Sequence, residues 1–138
     1  MAGSCPRLHA KGLVGDPRHN LGIVAERAVA TWLEASGWRL LGRRVRALGG
    51  GEVDIVALDP GGILVGVEVR ARRTARTGTG AESITGHRVR RAGRTVAAFA
   101  AANDIHHRGV RIDLVSVMPE PGPIAGQWRL RRIAAIGS

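Results

Sequence analysis

The sequence is poor in the residues on which exported proteins and base-stacking proteins commonly depend. It has a single cysteine, Cys5, so no disulfide can form within the chain, which is compatible with a reducing compartment. It has no tyrosine and one phenylalanine, which argues against a surface on which nucleic-acid bases stack. Its apolar runs are shorter than the roughly 18 residues of a membrane-spanning helix, and its first residues lack a signal-peptide pattern. We therefore expect a cytoplasmic protein that makes no membrane contact.

Lysine is also scarce, whereas arginine is abundant. All but one of the 21 basic residues are arginines, the exception being Lys11, a preference that genomic base composition explains. Base composition does not explain why the 21 basic residues outnumber the 11 acidic residues, which gives a formal net charge of +10. A positive field of this size favours a polyanionic partner. We therefore expect a nucleic acid as the partner, with DNA favoured, and simple solubility as the alternative.

Length and hydrophobicity indicate one folded domain. The chain has 138 residues, of which 44% are hydrophobic, enough for a single core. Residues 1–19 show no hydrophobic period, and we expect them to form a flexible N-terminal tail. The remaining residues, 20–138, are expected to form a single domain.

The central stretch predicts a β-hairpin. Residues 53–58 are apolar except for Asp54, and residues 63–69 are rich in β-branched side chains, so both segments are predicted to be strands. Between them, residues 59–62 read Asp-Pro-Gly-Gly, which is strong turn chemistry. The predicted register pairs Leu58 with Leu64, Val56 with Gly66, and Asp54 with Glu68.

This register brings two carboxylates together. Opposed residues in an antiparallel pair have Cβ atoms about 4.5–5.5 Å apart, so Asp54 and Glu68 would lie side by side on one face, with Arg70 beside them. Like charges in that position are unfavourable, and a shared cation would remove the penalty. Oxygen ligands suit Mg²⁺ or Mn²⁺. The sequence therefore predicts a divalent-cation site at this pair.

The rest of the chain predicts an α/β fold. Asn20 and Thr85 are suitable N-caps for two predicted helices, and Gly37 is a natural stop. The order helix, strand, hairpin, helix, strand, strand predicts a mixed sheet flanked by helices. The predicted helices cover residues 20–36 and 85–102, and the predicted strands outside the hairpin cover residues 38–45, 110–118 and 127–133.

Arginines cluster on the second predicted helix and on the loop before it. His87, Arg90, Arg91 and Arg94 fall opposite the apolar stripe of the helix, and Arg88 falls at the flank of that stripe. A helix face of one charge sign favours contact with phosphates, although a solvated basic surface is the alternative. The loop arginines with the same predicted role are Arg72, Arg73 and Arg76.

Two other polar features carry less weight. His106 and His107 are adjacent and have no nearby cysteine, so a zinc site is not indicated. Asp113 lies among apolar residues of a predicted strand, and we expect it to be structural and to pair with an arginine.

Several short motifs follow one another in a fixed order: Gly22 to Glu26, Gly51-Glu52-Val53-Asp54, Val67-Glu68-Val69-Arg70-Ala71-Arg72, the helix containing Arg88, and Arg111-Ile112-Asp113. Their order and spacing resemble the YraN family of small proteins over roughly residues 20–133. The resemblance implies the restriction-endonuclease-like fold of the PD-(D/E)xK nucleases. The acidic positions are also similar to those of archaeal Holliday-junction resolvases.

The resemblance implies roles for individual residues. Asp54, Glu68 and the carbonyl of Val69 would be metal ligands, and Arg70 and Glu26 would join them in a catalytic site. A glutamate on a helix is more often a surface residue, so both interpretations of Glu26 stay open. Nucleases of this superfamily commonly have lysine at position 70, and arginine cannot take a proton from water.

Two functions from different classes therefore remain. The first is a metal-dependent endonuclease acting on DNA, with selectivity for branched or flapped structures. The alternative is a nuclease-like nucleic-acid-binding module with little or no cleavage. A scaffold for protein interactions explains neither the acidic pair nor the net charge. The sequence leaves the oligomeric state open, a homodimer included.

Overall fold

A computed structural model of the chain describes residues 7–9, 17–47, 51–71, 85–119 and 127–136. Neither helix in this part of the chain is long and apolar enough to cross a membrane. The helices and strands are, in chain order, β1 (Arg7–His9), α1 (Pro17–Ala35), β2 (Arg39–Arg46), β3 (Glu52–Leu58), β4 (Leu64–Ala71), α2 (Gly86–Ala102), β5 (Val110–Pro119) and β6 (Gln127–Ile133).

The described strands form one mixed sheet in the order β1-β6-β5-β4-β3-β2. Neighbours are antiparallel except β4 and β5, which are parallel. Parallel neighbours need a crossover connection, and α2 lies between them in the chain. β1 has three residues, whereas each of the other five strands has at least seven. The predicted α/β class is confirmed, and the sheet is consistent with a restriction-endonuclease-like fold.

The two helices cover opposite faces of the sheet, and each face has its own core. Apolar burial of this kind supplies most of the driving force for folding. The α1-side core joins the helix to the sheet through Val29, Trp32, Leu33, Trp38, Ile55, Ala57, Val65, Val67, Val115, Val117, Trp128 and Leu130, among others. The α2-side core is made by Val45, Val53, Val56, Leu64, Ala92, Val96, Ala100 and Ile112.

Gly66 lets α2 approach the sheet closely. A Cβ atom at this position would lie 2.7 Å from Cγ2 of Val96 and 2.8 Å from Cδ1 of Ile112. Both distances are shorter than non-bonded carbon atoms accept. The absence of a side chain on β4 therefore sets the distance between sheet and helix beside the candidate site.

The second helix and the hairpin follow the sequence closely. Thr85 is the N-cap of α2, and its Oγ1 accepts a hydrogen bond from the Arg88 backbone N–H at 3.2 Å. In the hairpin, Leu58 pairs with Leu64 and Val56 pairs with Gly66, as predicted. The last strand has the predicted bounds, Gln127–Ile133.

The N-terminal region differs from the prediction. Helix α1 begins at Pro17, so Asn20 lies inside the helix and is not its N-cap; the fixed φ of proline suits the first turn. Residues 7–9 lie in the predicted tail, where no regular structure is expected, yet they form β1 and pair with β6. The pairing supplies partners for backbone groups at that edge of the sheet. Residues 1–6 and 10–16 lie outside the described part.

Asp113 is structural, as predicted. It is fully buried, and its two carboxylate oxygens accept hydrogen bonds from Arg111 Nε at 2.8 Å and Nη2 at 3.1 Å. Arg111 also donates to Asp59 at the hairpin turn, at 3.0 Å. Burial opposes ionisation of Asp59, but the Ile63 N–H and Arg111 outweigh it and lower its pKa. This network ties the turn to β5.

Candidate functional site

Two cavities lie where β3 begins and β4 ends, one on each side of the sheet. The α1-side cavity has a volume of about 610 Å³ and the α2-side cavity about 220 Å³. Glu52 lines both cavities. The α1-side cavity is also lined by Gly22, Ile23, Ala25, Glu26, Arg44, Arg46, Asp54, Val69 and Ala71. The α2-side cavity is also lined by Gly51, Glu68, Arg88, Val89, Arg91, Ala92 and Ile112.

The alternation of side chains along β3 is interrupted at Asp54. Successive residues of a strand normally point to opposite faces, so Val53 and Val56 would lie on different faces. Both belong to the α2-side core, whereas Ile55 belongs to the α1-side core. The opposite residue on β2 is Arg44, which has a φ of +51°, a left-handed conformation that is uncommon for a residue other than glycine. The interruption directs Asp54 to the α1 side.

Asp54 is held in place by the neighbouring strand. Its Oδ2 accepts a hydrogen bond from the backbone N–H of Val69 at 2.8 Å. Burial raises the pKa of Asp54; the Val69 N–H lowers it in part, and the negative charges of Glu26 and Glu52 raise it further. The carboxyl group therefore lies in a setting that disfavours its charge and that a cation would improve.

Glu68 lies on the α2 side and is 8% exposed. Burial raises its pKa to about 7, with a further contribution from the charge of Asp54, while the positive charges of Arg88 and Arg70 act in the opposite direction. The predicted arrangement of Asp54 and Glu68 on one face is therefore wrong, because the interruption at Asp54 moves its side chain to the other cavity. The two carboxylates still interact electrostatically.

Glu26 projects from α1 into the α1-side cavity, where two arginines contact it. It is 7% exposed. Arg43 donates to Oε1 through Nε at 3.1 Å and lies at 2.9 Å through Nη2. Arg44 donates to Oε2 through Nε at 3.4 Å. Glu26 is therefore not a surface residue, and it lines the cavity that Asp54 also lines.

The chemistry of the carboxylates fits a hard divalent cation. Asp54 and Glu68 offer oxygen atoms only, the donors that Mg²⁺ and Mn²⁺ prefer. Within the described residues, no three acidic, histidine or cysteine side chains converge closely enough to form a metal site. Mg²⁺ commonly uses one or two carboxylates and completes its shell with water and substrate phosphates. The donor atoms therefore suit such an ion, although the two carboxylates line different cavities.

The arginines of α2 divide into two groups. Arg88 and Arg91 line the α2-side cavity with Glu68, whereas Arg90 and Arg94 line neither cavity. Arg88, Arg90 and Arg94 are exposed, as is His87. Arg91 is half-buried. Its guanidinium lies over Gly51, with Nη2 3.6 Å from where a Cβ atom would stand. The loop arginines Arg72, Arg73 and Arg76 lie outside the described residues.

Three residues of this site were not predicted from the sequence. Arg44, Arg46 and Glu52 line the α1-side cavity, and Arg46 and Glu52 form an ion pair at 2.6 Å. The signal for the two arginines was the density of arginine at residues 43–46, and the signal for Glu52 was its place in the motif Gly51-Glu52-Val53-Asp54. Strict alternation along β2 would have sent neighbouring arginines to opposite faces.

Comparison with known proteins identifies relatives across most of the chain. A family model described as "Uncharacterised protein family UPF0102" matches residues 25–117. A UPF0102 protein of Symbiobacterium thermophilum is 42% identical over 82% of this chain and 92% of its own length. One from Beutenbergia cavernae is 37% identical over 85% and 95%, and one from Trichlorobacter lovleyi is 32% identical over 80% and 86%.

Proposed function

The chain belongs to the UPF0102 family, the YraN family that its motifs predicted, and from the residues of its site we propose that it hydrolyses phosphodiester bonds of DNA with a bound divalent cation. The observation that carries this proposal is the Asp54–Glu68 pair. The two carboxylates lie on adjacent strands, Glu68 buried and Asp54 partly buried. Burial raises the pKa of each, and the negative charge of Asp54 raises the pKa of Glu68 further. Carboxyl groups with raised pKa values that line cavities are typical of a functional site.

Asp54 and Glu68 would hold the cation, with the carbonyl of Val69 as the further ligand that the family resemblance implies. When bound, such an ion polarises a phosphate and lowers the pKa of a bound water. Sharing one ion requires one carboxylate to turn, because the two side chains line different cavities. We infer that cation binding changes the side-chain arrangement at this end of β3 and β4.

Arg70 supplies positive charge to the same region. It follows Glu68 by two residues on β4, and its charge acts on both carboxylates. Since an arginine stays protonated, Arg70 can stabilise negative charge on phosphate oxygens but cannot take a proton from water. Its role in the proposed reaction is therefore electrostatic.

Helix α2 supplies contacts to the nucleic-acid backbone. Arg90 and Arg94 are exposed on its outer surface, and Arg88 and Arg91 line the cavity that contains Glu68. Guanidinium groups bind phosphates through charge-assisted hydrogen bonds. The α2 helix would thus guide a strand toward the carboxylates without reading its sequence.

Arg70 also favours a second candidate function, nucleic-acid binding without cleavage. The position commonly holds lysine in related nucleases, and a lysine of lowered pKa can exchange a proton whereas arginine cannot. In that case Arg70 would only neutralise the Asp54–Glu68 pair.

A cation titration combined with a cleavage assay separates the two candidates. Calorimetry with Mn²⁺ should show binding to the wild type and its loss in Asp54→Ala. Single-turnover cleavage of duplex, single-stranded and junction DNA should then require Mg²⁺ or Mn²⁺. Equal cation binding by both proteins would remove the proposed metal site, and DNA binding without cleavage under either metal would favour the second candidate.

A further inference from the structure

The α1-side cavity has a basic wall that the proposed function does not use. Arg44 and Arg46 line it, and Arg43 reaches the Glu26 carboxylate in the same cavity. All three come from β2, which is an edge strand of the sheet. An arginine-rich edge discourages pairing with another strand, but this explains neither the cavity nor the convergence on one carboxylate.

The convergence depends on an unusual backbone conformation. Residues 43 and 44 are adjacent in a strand and would normally point to opposite faces. Because Arg44 has a φ of +51°, both side chains reach Glu26. Glycine would adopt this φ without strain. A large charged side chain held in a left-handed conformation is typical of a functional site.

Glu26 holds these guanidinium groups without burying them. The Arg43 and Arg44 side chains are 41% and 53% exposed, whereas the Glu26 side chain is 9% exposed. Each guanidinium has five N–H donors arranged in a fixed plane, and the Arg44 contact with Glu26 is made through Nε. A carboxylate that orients two exposed guanidinium groups leaves them suited to bind a phosphate from the solvent side.

We propose that Arg43 and Arg44, oriented by Glu26, bind a phosphodiester group of a nucleic-acid strand at the rim of the α1-side cavity. This site is on the opposite side of the sheet from the arginines of α2. The inference rests on the proposed function in that it takes a nucleic acid as the ligand. It assigns Glu26 as a positioning residue for the two arginines and not as a cation ligand.

The test measures DNA binding in EDTA, so that neither cleavage nor cation binding affects the result. Arg44→Gly removes one guanidinium and relieves the left-handed backbone, and Arg43 still pairs with Glu26, so the variant should fold. Arg39→Gln is the matched control, because Arg39 is exposed on the same strand and is not among the lining residues of either cavity.

Removing one arginine–phosphate interaction should lower the slope of log K against log salt by about 0.9 for duplex DNA. The same change should weaken binding by roughly an order of magnitude near 0.1 M salt. We expect this for Arg44→Gly and again for Arg43→Gln, with little change for Arg39→Gln. Unchanged affinity and slope in Arg44→Gly, or equal effects in Arg39→Gln, would overturn the inference.

The role of Glu26 has its own readout. If Glu26 orients Arg44, the effect of Arg44→Gly on DNA binding should shrink in a Glu26→Gln background, because the two residues act as a unit. Mn²⁺ binding, measured without DNA, should persist in Glu26→Gln, with its affinity altered only through the lost negative charge beside Asp54. Loss of Mn²⁺ binding in Glu26→Gln, with a full Arg44→Gly effect, would make Glu26 a cation ligand and overturn its assignment.

The wild type separates failure of this inference from failure of the proposed function. If wild-type protein binds no DNA, the proposed function and the inference both fall. If it binds DNA and Arg44→Gly binds equally well, only the inference falls. If Arg44→Gly binds weakly and the wild type does not cleave, the phosphate site stands and the hydrolytic proposal falls.

Discussion

The backbone N–H of Val69 donates a hydrogen bond to Oδ2 of Asp54 at 2.8 Å, so a side chain binds the neighbouring strand just where the regular ladder stops. The paired residues of β3 and β4 end at Ile55 and Val67. Beyond this pair, the Asp54 carboxylate accepts the hydrogen bond of a β4 backbone N–H, that of Val69. The Asp54 carboxylate is therefore a structural link between the two strands.

This relationship predicts different results for two substitutions of Asp54. Asp54→Asn keeps an oxygen that can accept from Val69 but removes the charge, so stability should change little while Mn²⁺ affinity falls. Asp54→Ala leaves the donor without its partner, which should lower the free energy of unfolding by about 1–3 kcal/mol. Urea denaturation and calorimetry on both variants check this. Equal stability of the two variants would show that the hydrogen bond contributes little.

Glu68 predicts a pH dependence of stability in EDTA. Its pKa is about 7 in the folded protein against an ordinary value of 4.5, so between these values the folded state binds more protons than the unfolded state. Stability should therefore fall as pH rises from about 4.5 to 7, by on the order of 3 kcal/mol from this group. Glu68→Gln should be less sensitive over this range and more stable than wild type at pH 8. Denaturation curves at pH 5 and 8 check this, and identical pH profiles would contradict the raised pKa.

Arg70 predicts how cleavage responds to substitution. If its charge stabilises the reacting phosphate, Arg70→Ala should abolish cleavage and leave Mn²⁺ affinity nearly intact. Arg70→Lys should keep or raise activity, because lysine is charged and can also exchange a proton. Single-turnover assays with Mg²⁺ and Mn²⁺ check both. Cleavage that persists in Glu68→Ala would indicate a contaminating nuclease.

We predict that Arg90 and Arg94, on the outer face of α2, contribute to the salt dependence of DNA binding. Arg90→Ala/Arg94→Ala should lower the slope of log K against log salt by about 0.9 for each phosphate that the variant no longer binds. Arg27→Ala is a suitable control, because Arg27 is exposed on α1 and lines neither cavity. Fluorescence anisotropy at salt concentrations of about 50 to 200 mM measures the slope for the double variant and for the control. An unchanged slope in the double variant would exclude this face from DNA binding.

Gly66 predicts a packing effect. An added Cβ would press against Val96 and Ile112, so Gly66→Ala should destabilise the fold by about 1–3 kcal/mol. Gly93 is the matched control, since it lies in α2 and an added Cβ there would meet nothing within 4 Å. Gly93→Ala should stabilise the helix by roughly 0.5–1 kcal/mol. Thermal denaturation of both variants checks the contrast, and a neutral Gly66→Ala would mean that α2 shifts to make room.

Local chemistry in the chain is sufficient to predict the hairpin, its register next to the turn, and α2. The turn at residues 59–62 and the β-branched run after it favour one pairing, and Leu58 does pair with Leu64. Thr85 caps α2 because its hydroxyl accepts an N–H three residues later. These features depend on residues close together in sequence, and alternation identifies the buried face wherever it is regular.

Only the tertiary structure decides which cavity receives each carboxylate. Asp54 departs from alternation opposite Arg44, a residue of another strand that has a left-handed backbone conformation. The sequence carries no local signal for this conformation, because an arginine ordinarily adopts a right-handed or extended backbone. The departure places Asp54 near Glu26, while Glu68 remains beside Arg88. The chain's local pattern thus determines that the two carboxylates lie on paired strands, and contacts between distant segments determine where each of them points.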